Sequence, residues 1–113
     1  MKKIQGLYSV ENSIRDFINW LAVFKTEYGI EQEAYEMLHK KADELAIAIG
    51  AIRCDATGKV DAKYVKTSAN TLRDAKAWLG VFAKEYNIEK EAVKILTGKF
   101  DEIGKRLALL DCR

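Results

Sequence analysis

Glu36-Met37-Leu38-His39 places a carboxylate and an imidazole three residues apart, the spacing by which one helical turn offers two ligands to a di-iron or di-manganese centre. Such centres take the motif from two helices and further glutamates from others, but the matching positions in the second half of the chain are Lys94 and Thr97. The expected state of His39 is therefore a solvated side chain. Glu33, Glu36, Asp43 and Glu44 also invite comparison with the Mg²⁺-binding acidic clusters of helical hydrolases. All four lie on one helix, however, and the chain continues as Leu45-Ala46-Ile47-Ala48 where another acid is needed. A single histidine leaves no Ser-His-Asp or Cys-His arrangement. Thr57-Gly58-Lys59 is a lone turn rather than a phosphate loop, and Asp55 to Lys66 lacks the glycine placement and terminal acid of a calcium loop. The expectation is no catalysis, no metal and no cofactor.

The elements that position these residues come in two matching sets. Shifted by 58 positions without a gap, residues 12–54 match residues 70–112 at 18 of 43 places, including Arg15/Arg73, Asp16/Asp74, Trp20/Trp78, Phe24/Phe82, Tyr28/Tyr86, Asp43/Asp101, Glu44/Glu102 and Cys54/Cys112. In the first copy Leu7, Val10, Ile14, Phe17, Leu21, Phe24 and Tyr28 recur at spacings of three and four, one stripe of a helix. Val65, Ser68, Leu72, Ala75, Leu79, Phe82 and Tyr86 repeat it. Gly29 and Asn87, both tolerant of positive φ, stop these helices, and Glu-x-Glu at once starts the next. The following stripes are Tyr35, Leu38, Ala42, Leu45, Ile49, Ile52 and Val93, Leu96, Phe100, Ile103, Leu107, Leu110. A turn this short forces an antiparallel αα-hairpin.

The predicted fold is all-α: one domain over residues 1–113, a four-helix bundle of two duplicated αα-hairpins with pseudo-two-fold symmetry. The repeats span residues 7–54 and 65–112, joined by a linker at 55–60. Asp61 capping an early start to the third helix predicts a simple up-down-up-down bundle; Thr67 capping a late start leaves enough extended chain for a crossover. The length suits a single core, and the absence of proline favours helix throughout.

No apolar run is long enough to cross a bilayer, and Met1 to Gly6 is not followed by the apolar core of a signal peptide. A cytoplasmic location is expected, with no membrane partner. Two cysteines form no CxxC motif or disulfide framework, so reduced thiols are expected. The net charge of +2 divides unevenly: residues 1–58 carry 7 basic and 9 acidic side chains, residues 59–113 carry 12 and 8.

Three features bear on partners. The repeated Trp-x-x-x-Phe-x-x-x-Tyr pattern puts Trp20 and Trp78 at the edge of the packing stripe, as core or as an aromatic groove. Repetition of Arg15-Asp16 as Arg73-Asp74 suggests reciprocal pairing of Arg15 with Asp74 and Asp16 with Arg73 if the first and third helices approach. Where the copies differ, Ile18 becomes Lys76, Ile47 becomes Lys105 and Ala48 becomes Arg106. The run from Leu45 to Ile52 is apolar all round, which a surface helix should not be. The leading expectation is a protein–protein interaction module, such as a regulator, inhibitor or assembly factor. It would bind itself or a protein partner through Ile18, Ile47 and Ala51 of the first hairpin. The alternative is nucleic-acid binding through Lys76, Lys90, Lys94, Lys105 and Arg106, and a metal-dependent hydrolase is the third.

Overall fold

The computed structural model describes residues 3–113. Helices α1 (Leu7–Tyr28), α2 (Gln32–Gly50), α3 (Ala62–Glu85) and α4 (Lys90–Leu107) make a rod whose Cα envelope measures 48 × 19 × 18 Å. Each helix packs on two others: α1 on α2 and α4, α3 on α2 and α4. The bundle is all-α and runs up-down-up-down, with α1 and α3 on one diagonal. The seams between hairpins, α1–α4 and α2–α3, are the more extensive ones.

Local chemistry accounts for the boundaries. Gly29 (φ 64°) and Asn87 (φ 52°) take the left-handed conformation that ends a helix. Asp61 caps α3, its carboxylate accepting from the Lys63 backbone N–H at 3.0 Å, so the third helix starts early and no crossover is needed. Between α2 and α3 the chain folds on itself. The Asp55 carboxylate accepts from the Thr57 hydroxyl at 2.6 Å and from the Lys59 backbone N–H at 3.0 Å, and these bonds hold it below the usual aspartate range.

The interior follows the expected stripes, with Val10, Ile14, Phe17, Leu21, Leu38, Leu45, Leu79, Leu96 and Ile103 all buried. Ile30, Ile88, Ala34 and Ala92 are buried as well; they close the turn end of the bundle. One core layer departs from the repeat. Phe17 of α1 stacks on Phe100 of α4 with ring centroids 4.1 Å apart, whereas the corresponding positions across the α2–α3 seam are the buried Ala75 and Ala42.

The expectation of reduced thiols is overturned. Cys54 and Cys112 form a disulfide with Cα atoms 6.0 Å apart. Their separation of 58 residues equals the repeat offset, so the bond joins one position of the hairpin to its counterpart, a proximity that only the docking of the two hairpins creates. Beside it β1 (Ile4–Gln5) pairs antiparallel with β2 (Asp111–Cys112), Ile4 opposite Cys112. Strands of two residues are too short to show a periodicity in sequence.

Two outcomes follow for denaturant unfolding. Phe100→Ala removes half of the only aromatic stack in that layer and should cost about 3–5 kcal/mol. Reduction of the disulfide, which frees a 58-residue loop in the unfolded chain, should cost about 4 kcal/mol.

Candidate interaction surfaces

The same small constellation occupies both inter-hairpin seams. Across α2–α3 the Lys41 ammonium lies 3.3 Å from Asp74 and 5.5 Å from the centre of the Trp78 ring. Across α1–α4 the Lys99 ammonium lies 2.9 Å from Asp16 and 5.5 Å from the Trp20 ring. Asp, Lys and Trp thus recur at matching positions in the two copies. Burial opposes the charge on Lys41, but Asp74 and then Glu44, 3.4 Å away, outweigh it and raise its pKa above 10.5.

This geometry corrects the expected arginine pairing. Asp16 and Asp74 do pair across the hairpins, but with Lys99 and Lys41. Arg15 instead donates to Asn12 on its own helix at 3.3 Å. The reason is topological: α1 and α3 lie diagonally, so each aspartate meets the helix of the other hairpin that is its neighbour. The repetition of Lys41 as Lys99 in the sequence was the available signal.

Trp20 and Trp78 sit at the rim, 37 % and 39 % exposed, each resting on the phenylalanine one turn later, Phe24 at 5.4 Å and Phe82 at 5.3 Å. Beside Trp78 is a shallow, mainly apolar cleft of about 200 Å³ lined by Met37, Lys40, Lys41, Glu44, Trp78 and Phe82.

The other singled-out residues are dispersed. Ile18 is half-buried and packs against the core, Ala51 is half-buried at the end of α2, and Ile47 is 75 % exposed. Within the apolar run, Leu45, Ile49 and Ile52 enter the core while Ala46, Ile47 and Gly50 face outward. Of the basic side chains, Lys76 pairs with Asp101, and Arg106 pairs with Glu102 at 3.0 Å and donates to the Ser9 carbonyl at 3.1 Å. Lys90, Lys94 and Lys105 are exposed on α4.

The residues with catalytic or ligating chemistry are engaged locally. His39 Nδ1 is 3.1 Å from Asp43, and Glu36 accepts from Gln32 at 2.9 Å. Burial and the Glu33 carboxylate push the Tyr86 phenol above its ordinary pKa. Among the described residues no group of three or more His, Cys, Asp or Glu is arranged to hold a metal ion, and no helix is long and apolar enough to cross a membrane. Comparison with protein-family models, curated proteins and solved structures finds no match to this chain.

A double-mutant cycle on Lys41 and Asp74 should give a coupling of about 0.2–1 kcal/mol, the scale of a pair partly open to solvent. The folded pKa of Lys41 is raised, so its contribution is complete below the unfolded value near 10.5 and is lost as pH climbs through the higher folded value. Measuring the cycle at neutral and at strongly alkaline pH checks both the size and the sign.

Proposed function

We propose that the chain is a non-catalytic helical interaction module, of the regulator, inhibitor or assembly-factor kind, that works through its first hairpin by binding a second copy of itself or a protein partner. The observation that carries this reading is Ile47. It is 75 % exposed on α2, between exposed Ala46 and half-buried Ala48, and the matching residue in the second hairpin is Lys105. An isolated exposed isoleucine is ordinary, but here it stands beside small residues that let another helix approach and continues the line of α2 residues, Met37, Lys40 and Glu44, that borders the apolar cleft beside Trp78.

The nucleic-acid reading draws less support, because two of its five cations, Lys76 and Arg106, are already neutralised by carboxylates of the same chain. The Cys54–Cys112 bond favours an oxidising compartment over the cytoplasmic location expected from composition.

Ile47→Lys tests the reading. The substitution lies on an exposed site and should leave the unfolding midpoint close to that of the parent. It should abolish association, measured by sedimentation for the purified chain and by capture with parent and variant baits from the native host. A variant that associates as the parent does in both measurements would overturn the proposal.

A further inference from the structure

Along α2 and its C-cap, Glu33, Met37, Lys40, Glu44, Ile47 and Ala51 succeed one another at alternating spacings of four and three, the seam spacing of a coiled coil. None of the six is buried, so the seam faces away from the bundle's own core. Its order is self-complementary when read backwards. A second α2 laid antiparallel about the level of residue 42 sets Met37 against Ile47 of the second copy, Lys40 against Glu44, and Glu33 against Ala51. Two-fold symmetry then makes every contact twice.

From these matches we infer that the occupant of the first hairpin's outer face is a second copy of this chain, docked through an antiparallel α2–α2 contact. The inference rests on the interaction reading above and specifies its partner. Three features of the face support it. Ile47, 75 % exposed, is a knob, and the cleft of about 200 Å³ whose rim includes Met37, Lys40 and Glu44 is a hole of suitable size for it. Ile47 is ten residues, about 15 Å, from Met37 at the far end of that cleft, so in this register the Ile47 of each copy reaches the Met37 end of the other's cleft. Charge matches along the same line, because Lys40 is exposed and meets the carboxylate of Glu44 rather than another cation.

The second hairpin lacks this complementarity. The equivalent line on α4 and the turn that follows it is Glu91, Ile95, Gly98, Glu102, Lys105 and Leu109. Reversing it sets Ile95 against Lys105 and Gly98 against Glu102, with neither an apolar contact nor an opposite charge. Only one of the two matching helices is therefore self-complementary. A single helix pair is a small interface, so a reversible dimer in the micromolar range is expected.

Sedimentation equilibrium up to high micromolar concentration should show a monomer–dimer equilibrium. Lys40→Glu and Glu44→Lys each set like charges together twice, and each should raise the dimer dissociation constant about tenfold. The double variant restores opposite charges across the axis and should return to within about threefold of the parent. In mixing experiments under oxidising conditions, a Met37→Cys copy should cross-link to an Ile47→Cys copy faster than either does to itself. Monomer at every concentration, single and double charge variants that behave alike, or dominant self-cross-links would each overturn the dimer. A monomeric chain that still captures a host protein in an Ile47-dependent manner overturns this inference and leaves the interaction reading standing; loss of both overturns both.

Discussion

A hairpin of two helices shares one line of contact and leaves half of each apolar stripe open to water, so neither hairpin of this chain can bury its own interior. Closing one hairpin on the other is the constraint on which the remaining structure depends. The α1–α4 and α2–α3 seams are where Phe17 meets Phe100, where Lys41 and Lys99 reach across to Asp74 and Asp16, and where Trp20 and Trp78 are held at the rim. At the end of the rod where the chain termini and the connection meet, the disulfide and the two-residue ladder make the same join covalently and through backbone hydrogen bonds.

Matching residues carry this closure, and differing residues carry what is individual to each hairpin. Asp, Lys, Trp and Cys are the same in both copies because each stands opposite residues of the other hairpin in one shared geometry. Phe17 and Phe100 against Ala42 and Ala75 show how the two hairpins differ without loss of packing: one seam takes two rings and the other two methyl groups. Large and small residues balance within the layer, as close packing requires. On the outside no such balance holds: exposed Ile47 in the first hairpin corresponds to exposed Lys105 in the second.

Much of the fold was legible before any coordinates, for a physical reason. Stripe period, positive-φ stop residues and acidic restarts are set within a few residues of sequence, so four helices and both tight turns could be placed, Leu7 to Tyr28 with its bounds. The start of α3 stayed open because Asp61 and Thr67 are both good caps, and what separates them is how far the linker must reach. The candidate surfaces were less legible. The tryptophans at the rim and the exposed Ile47 followed from helical phase, whereas Ile18 has the same apolar chemistry yet is partly consumed by the bundle.

By itself, then, the sequence determined the four helices, the hairpin unit and which side of each helix is apolar, because these depend on neighbours three and four residues away. Only the tertiary structure decided which hairpin face meets which. That choice put Lys41 rather than Arg15 beside Asp74, brought two cysteines 58 residues apart into one bond, and buried Ile49 of α2 while leaving Ile47 exposed. Contacts of that kind pair residues far apart in the chain, and no local pattern records them until the hairpins have docked.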